Sequence, residues 1–193
     1  MRVLKTAMGM TDKTIIDEAV EVLAGGGIVL YPTDTVYGLG ANIFNNRAVR
    51  KIFKIKKRSL SKPLSVLVSD IESVGLVARI SNNQREIINN YLPGPYTFIL
   101  DKQCIIPPVI TSGSSRVGVR VPDCDIARSL AKLFPITTTS ANISDKEVLK
   151  SPCDIVSQLD FDIDLVIDAG PLKSQKASVI IDLTGMNPKI LRR

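Results

Sequence analysis

Residues 27–40 form an apolar run that stops at a proline and continues into hydroxyls and glycines. Residues 28–31 contain only aliphatic side chains and a tyrosine, which is typical of a strand covered on both faces. Pro32 has no backbone N–H to donate to a neighbouring strand, so it ends the pairing. This segment predicts a buried central strand around which the rest of the chain must pack.

The residues after Pro32 have two interpretations. Thr33, Asp34 and Thr35 carry short polar side chains that can bond either the local backbone or a ligand. Gly38 and Gly40 permit a positive φ or the close approach of a bulky group. The segment is therefore either a strand end with a tight turn or a strand that delivers a polar binding loop.

Composition limits the class of protein. The chain has 193 residues and is 45% hydrophobic, and chains of about 100 to 200 residues are usually one domain with a sizeable core. We therefore expect residues 1–193 to form a single domain. No run approaches the ~20 apolar residues of a membrane span, and the first residues lack the apolar region of a signal peptide. These features predict a cytoplasmic protein.

Histidine is absent from the sequence. Its absence excludes Ser-His and Cys-His nucleophilic catalysis and His-ligated metals. Cys104, Cys124 and Cys153 are far apart and lack the close pairs that zinc sites use, so we expect reduced thiols. The chemistry must then depend on Lys, Arg, carboxylates, hydroxyls, backbone groups or Mg²⁺. We also expect no ionisation of the protein near pH 6.5 in its rate profile.

A group of basic residues follows a predicted amphipathic helix that Asn45 or Asn46 can cap. The net charge of +6 favours anionic partners such as nucleotides or RNA. Cations at a helix C-terminus can also simply complement its dipole, for about 0.3 to 1 kcal/mol each. A solvated helix end and a polyanion site both remain open. The group consists of Lys56, Lys57, Arg58 and Lys62.

The rest of the chain intermixes helices and strands without a repeat or a linker. Alternation in residues 116–122 places Arg116, Gly118 and Arg120 on one face of a strand, where the two arginines can form a cationic wall. The order predicts one α/β domain with an open, twisted, mixed sheet flanked by helices. Further helices are predicted at 11–24, after Asp70, at 82–91, 123–133 and 152–159, and further strands at 64–68, 97–100, 135–142, 165–170, 178–183 and 189–192, with a loop at 107–115.

Six short motifs run in order along nearly the whole chain. They are PTDTVYGLG at 32–40, KKR with KPL at 56–64, PGPYT at 93–97, VGVRVP at 117–122, TSAN at 139–142 and ILR at 190–192. Each is weak alone, but six in register are hard to obtain by chance. Together they resemble the YrdC family, and the resemblance implies a YrdC-like fold of the short form, without an extra C-terminal domain.

The resemblance also implies an activity. Family members of the TsaC type are nucleotidyltransferases, L-threonylcarbamoyladenylate synthases, which condense L-threonine, bicarbonate and ATP to threonylcarbamoyl-AMP and pyrophosphate. This is the first step of threonylcarbamoyladenosine formation in tRNA. The implied ligands are L-threonine, bicarbonate and ATP with Mg²⁺. The implied partner is a downstream threonylcarbamoyl transferase, and contact with tRNA or double-stranded RNA stays open.

Site residues follow from the same resemblance, position by position. The threonine site would fall on Thr35, Arg120, Thr138 and Ser178. The ATP site would fall on Lys56, Arg58, Lys62, Ser140 and Arg192, with Arg116 and Ser151 as weaker candidates.

The planar fork of Arg120 suits a carboxylate. Its rival role is a structural cation paired with Asp123 or Asp125. We interpret Asp34 as a turn or positioning residue rather than a base.

The sequence departs from the family pattern in three places. Leu67 stands where many members have histidine, Asp145 replaces the glycine usual after Ser144, and residues 177–179 replace a more common Ser-Thr pair. Two other classes of function compete with the synthase. A non-catalytic RNA-binding module would explain the charge, but aromatic residues make up only 5% of the chain, which disfavours base stacking. A sugar-phosphate enzyme would need a cluster of acidic metal ligands that the sequence does not show.

Overall fold

The computed structural model describes residues 1–161 and 163–193, which alternate strands and helices along the chain. Among these residues no helix is long and apolar enough to cross a membrane. The strands are β1 (Arg2–Lys5), β2 (Val29–Tyr31), β3 (Gly38–Gly40), β4 (Ser65–Leu67), β5 (Ala78–Arg79), β6 (Tyr96–Lys102), β7 (Arg116–Arg120), β8 (Ile136–Thr138), β9 (Leu165–Asp168), β10 (Val179–Asp182) and β11 (Lys189–Arg192). The helices are α1 (Lys13–Ala24), α2 (Asn46–Ile55), α3 (Val74–Val77), α4 (Asn82–Tyr91), α5 (Pro108–Thr111), α6 (Asp125–Leu130) and α7 (Pro152–Leu159).

The strands form two mixed sheets. One has the order β1-β9-β2-β3, and the other has the order β11-β10-β6-β7-β4-β8, with β5 added beside β6. Isolated bridges from Gly38 to Ser140 and from Asn42 to Ile136 join β3 to the β8 region of the second sheet. The predicted mixed α/β fold is confirmed. The expected single sheet is instead two sheets, because β8 meets β3 through isolated bridges and not through a continuous ladder.

The predicted central strand lies between two hydrophobic clusters. Leu30 packs in the larger cluster, while Val29 and Tyr31 pack in the smaller one. All three residues of β2 are fully buried. Opposite faces of a strand carry alternate side chains, so the uninterrupted apolar run matches burial on both faces.

The glycines of β3 allow a close approach to an aromatic ring. β3 pairs antiparallel with β2, and Tyr31 lies opposite Gly38. A Cβ on Gly38 would lie 2.8 Å from Cζ of Tyr31, and one on Gly40 would lie 2.9 Å from its Cε1. The ring therefore occupies the space that side chains of β3 would need.

Local signals placed most helices correctly. Asp12 accepts a hydrogen bond from the backbone N–H of Thr14 and caps α1, and Asn45 caps α2 by accepting from Ala48. A Ser81 capping box with Gln84 starts α4. Each of these caps satisfies backbone donors that the first helical turn leaves free.

The structure differs from the local predictions in several places: residues 38–40, expected in the turn or loop after Pro32, form β3, and the strand predicted at 135–142 spans only Ile136–Thr138. Asp70 does not cap a helix directly: its carboxylate accepts from the backbone N–H of Ser73, and that turn precedes α3. The loop predicted at 107–115 contains α5, which Pro108 begins. β1 was not predicted, because its four residues are largely exposed and show no clear alternation.

Candidate functional site

A cavity of about 550 Å³ opens where β6, β7 and β10 meet the loops after β2, α2 and β8. Its wall brings together most of the residues predicted for the two substrate sites. Thr35, Lys56 and Ser151 are the predicted residues that do not line it. Those that line it are Arg58, Lys62, Arg116, Arg120, Thr138, Ser140, Ser178 and Arg192.

Arg120 ends β7 and is only 5% exposed. Its Nη2 donates to Thr35 Oγ1 at 2.8 Å and pairs with the Asp34 carboxylate. Asp123 and Asp125, the examples named for the rival role of Arg120, pair with Arg128 instead, and the carboxylate that pairs with Arg120 is that of Asp34. A buried ion pair holds its members in one geometry, because neither charge can be left alone in a low-dielectric interior.

The loop after β2 is organised by its own hydroxyls. Thr33 Oγ1 accepts from the backbone N–H of Thr35 at 3.1 Å and contacts the carbonyl of Val36 at 2.7 Å. This turn aims the Thr35 side chain at Arg120, although Thr35 itself does not reach the cavity. Of the two interpretations of this segment, the tight turn is confirmed, and the binding loop stays a prediction.

Three hydroxyl side chains share the cavity wall with Arg120. Ser178 Oγ lies 2.8 Å from Thr97 Oγ1, and both residues are buried at the cavity wall. Thr138 at the end of β8 adds a third hydroxyl. Sequence reasoning missed Thr97 as a site residue, although it lies in the PGPYT motif at a strand start.

Arg192 connects the last strand to this hydroxyl group. Its Nη2 donates to the Ser178 carbonyl at 2.8 Å and its Nε does so at 3.1 Å. Burial lowers the pKa of Arg192, and the positive charges of Arg120 and Arg58 lower it further. Three guanidinium groups therefore face one cavity with mutual repulsion, which a bound anion would relieve.

Arg58 is fixed by backbone carbonyls of the loop that follows α2. Its Nε donates to Lys62 O at 3.0 Å and its Nη2 donates to Pro63 O at 2.9 Å. Partial burial lowers its pKa, while the nearby Asp145 carboxylate acts in the other direction. The guanidinium is thus held at the cavity wall by main-chain contacts.

Two other cations at the cavity have carboxylate partners. Lys62 Nζ lies 3.1 Å from Asp145 Oδ2, and Arg116 Nη1 lies 3.4 Å from Asp182 Oδ2. Asp145 is one of the departures from the family pattern, and its side chain is largely exposed. Asp182 also lines the cavity and was not among the predicted site residues. These pairs reduce the positive potential at the rim.

Lys56 lies behind the wall, 1% exposed. Its Nζ donates to the carbonyl of Ser140, to Asn142 O at 2.6 Å and to Asn142 Oδ1 at 3.2 Å. Burial lowers the pKa of Lys56 to about 7, and the charge of Arg58 adds to this effect. Lys56 is therefore the group whose ionisation would contradict the expected absence of a protein ionisation near pH 6.5 in the rate profile, and that expectation stays a prediction.

Ser151 stands at the N-terminal boundary of α7 and makes no capping hydrogen bond there. It does not line the cavity. Four residues, 147–150, separate Lys146 from Ser151, and Ser151 lies at the start of α7.

Comparison with known proteins gives a family. The model of the Sua5/YciO/YrdC domain, described as telomere recombination, matches residues 21–193. A putative threonylcarbamoyl-AMP synthase from Methanocaldococcus jannaschii is 39% identical over 171 residues, which are 89% of this chain and 81% of that protein. The threonylcarbamoyl-AMP synthase of Pyrococcus abyssi is 37% identical over 170 residues, 86% of this chain and 50% of that protein.

Solved structures agree with the sequence matches. The crystal structure of P. abyssi Sua5 complexed with L-threonine superposes with a TM-score of 0.93 at 33% identity, over 100% of this chain and 57% of that chain. Escherichia coli YciO superposes with a TM-score of 0.91 at 28% identity, over 100% of this chain and 96% of that chain. This chain thus spans about half of Sua5 and nearly all of YciO.

Proposed function

Because the chain belongs to the Sua5/YciO/YrdC family, we propose that it is an L-threonylcarbamoyladenylate synthase, which forms threonylcarbamoyl-AMP and pyrophosphate from L-threonine, bicarbonate and ATP. The observation that carries the proposal is one cavity lined by a buried arginine, a group of hydroxyls and a row of cations. An amino acid carboxylate and a triphosphate need these groups side by side.

The Arg120 end suits L-threonine. A guanidinium can bind a carboxylate through two parallel hydrogen bonds, and Arg120 lines the cavity while its Nη2 is held by Asp34 and Thr35. The hydroxyls of Thr97, Thr138 and Ser178 can bond the polar groups of the amino acid. Thr35 acts on threonine indirectly in this proposal, since it contacts Arg120 and not the cavity.

The other end suits a nucleotide. Arg58, Lys62 and Arg192 supply positive charge for three phosphates, and Arg116 and Ser140 add donors at the wall. Apolar side chains of Ile99, Ile180 and Leu191 line the same cavity and offer a surface for a base. ATP is a substrate here, so its binding must leave the α-phosphorus open to attack.

The reaction can proceed by positioning and charge neutralisation. The neutral amine of threonine takes up CO₂ derived from bicarbonate and loses a proton, which gives an N-carboxylate. One oxygen of that carboxylate forms a bond to the α-phosphorus of ATP while the bond to pyrophosphate breaks. Arg58, Lys62 and Arg192 would offset the charge that moves onto the leaving pyrophosphate.

Mg²⁺ would enter as part of the nucleotide substrate. Among residues 1–161 and 163–193, no group of three or more Asp, Glu, Cys or His side chains could hold a metal ion. The phosphate oxygens of ATP bind Mg²⁺ well, and in this proposal they hold the ion without a protein cage.

The competing class is an RNA-binding module without chemistry. Its support is the net charge of +6, but it leaves the buried Arg120 and the hydroxyl group without a role. Relatives named as synthases favour the enzyme. Contact with tRNA, and delivery of the product to a threonylcarbamoyl transferase, remain parts of the proposal.

Pyrophosphate release by purified protein tests the proposed function. We expect release from ATP only when L-threonine and bicarbonate are both present, and serine in place of threonine serves as the matched substrate control. Mass spectrometry should detect threonylcarbamoyl-AMP in the same samples. Tight binding of RNA with no pyrophosphate release would support the RNA-binding module instead.

A further inference from the structure

The ammonium group of Lys56 uses all its donors on one short turn. A charged lysine has three N–H groups, and Lys56 contacts three oxygens, the carbonyls of Ser140 and Asn142 and the Oδ1 of Asn142. The residue is buried and does not line the cavity. No donor is left over for a phosphate group in this arrangement.

The turn at residues 140–142 carries part of the cavity wall. Ser140 lines the cavity, and its Oγ donates to Asn142 Oδ1 at 2.6 Å. The backbone N–H of Asn142 closes the turn on Ser140 O at 3.0 Å, and Ser144 N–H donates to the carbonyl of Lys56 at 2.8 Å. Lys56 therefore ties the end of α2, two residues before Arg58, to the loop that presents Ser140.

We propose that Lys56 is a positioning residue, which acts on the reaction through the turn at residues 140–142 and through Arg58 and touches neither substrate. The proposal rests on the proposed function for its effect on rate. Its structural part, the ammonium bound within the turn, does not depend on that function.

The charge of Lys56 sets how firmly the turn is held. Arg58 is the charged neighbour, and the three contacted oxygens are uncharged. On the adjoining loop Asp145 pairs with Lys62 and Lys146 is exposed. A neutral amine has two N–H groups for three acceptors, so the turn loses a donor and an electrostatic attraction when Lys56 releases its proton. Because the pKa of Lys56 is lowered to about 7, the rate should fall as pH rises through about 7.

Stability should change in the opposite direction. A lysine in the unfolded chain titrates near 10.4, so between about pH 7 and pH 10 the unfolded chain holds a proton that folded Lys56 has released. The contribution of Lys56 to stability therefore rises with pH across that window. A lysine with only a structural role could raise stability as pH rises, but it would leave the rate unchanged.

The kinetic test uses Lys56→Met, with Lys54→Met as the matched control. Lys54 is exposed on the same helix and contributes the same charge.

At fixed dissolved CO₂, we expect Lys56→Met to lower kcat by roughly ten- to a hundredfold, the equivalent of lost hydrogen bonds to a charged group. The KM for threonine should change by less than about threefold. The variant should also lose the fall in rate near pH 7, which the wild type and Lys54→Met keep. A wild-type kcat with a strongly raised, salt-dependent Kd for ATP would mean direct phosphate contact and overturn the proposal.

Nuclear magnetic resonance supplies a test without catalysis. With lysine labelled at Cε, one resonance that is missing in Lys56→Met should titrate near pH 7, and the amide resonance of Ser140 should shift with the same midpoint. A Lys56 resonance that titrates near 10 would remove the fall in rate near pH 7, and a Ser140 resonance that does not shift when Lys56 titrates would overturn the proposal. If the wild type releases no pyrophosphate, the proposed function fails, and these two resonances still decide the role of Lys56.

Discussion

The two ends of the cavity hold their cations differently. Arg120 is 5% exposed, lies on a strand and pairs with the partly buried Asp34. Lys62 is on a loop, half exposed, and its partner Asp145 is mostly in solvent. Buried pairs are rigid and costly to break, whereas exposed pairs contribute little and are screened by salt. The end proposed for the amino acid is therefore held in place by the core, and at the end proposed for the phosphates Lys62 can exchange a weak internal partner for an anion.

The largest expected effect comes from removing the buried partner of Arg120. Asp34→Ala leaves that guanidinium buried without a counter-charge, and we expect a loss of about 3 kcal/mol in the free energy of unfolding. Denaturant unfolding measures it. Asp123→Ala, which removes an exposed partner of Arg128, is the matched control and should cost less than about 0.5 kcal/mol. Equal losses in the two variants would show that the pair of Arg120 with Asp34 is no costlier to break than an exposed pair.

Arg120→Lys tests the same end with the charge kept. The ammonium cannot reproduce the planar fork, so we expect threonine binding to weaken by about 1.5 to 3 kcal/mol, the scale of a hydrogen bond to a charged group. ATP affinity should change far less. Calorimetric titration of both ligands, beside a melting curve, makes the measurement. Unchanged threonine affinity with a lowered melting temperature would make Arg120 a purely structural cation.

The smallest expected effect lies at the exposed end. Asp145 has a positive φ of 65°, which asparagine tolerates, so Asp145→Asn removes the charge and keeps the backbone. Lys62 then loses its partner, and ATP affinity should rise by no more than about 1 kcal/mol at low salt. The gain should disappear at high salt because exposed charges are screened. A gain that persisted at high salt would show that the two ends do not differ as described.

Much of the fold could be predicted from local signals. The capping residues of α1, α2 and α4 and the apolar run of β2 each specify their element through short-range hydrogen bonds or burial. The pairing of strands is a long-range property, and the division into two sheets depends on the short contact between β3 and β8. No pattern in the sequence predicts the division into two sheets.

The prediction of the site residues was limited in the same way, because it could not include contacts between residues far apart in the sequence. The family motifs led to the arginines and hydroxyls that line the cavity, and alternation in β7 put Arg116 and Arg120 on one face. The burial of Lys56 and its effect on the pKa could not be predicted, because both depend on a turn that is 84 residues away in sequence. The pairing of Arg120 with Asp34, 86 residues away, could not be predicted for the same reason.

The contact between Tyr31 and the glycines of β3 also limits how this cavity can be altered. The ring fills the space beside Gly38, and Gly38 lines the cavity. Any larger residue at position 38 would therefore contact the ring before it contacted a ligand. Substitutions in β3 therefore cannot adapt the cavity to a bulkier amino acid substrate. Variants with a changed substrate range should therefore carry their substitutions at the hydroxyl positions of the cavity wall, Thr97, Thr138 and Ser178.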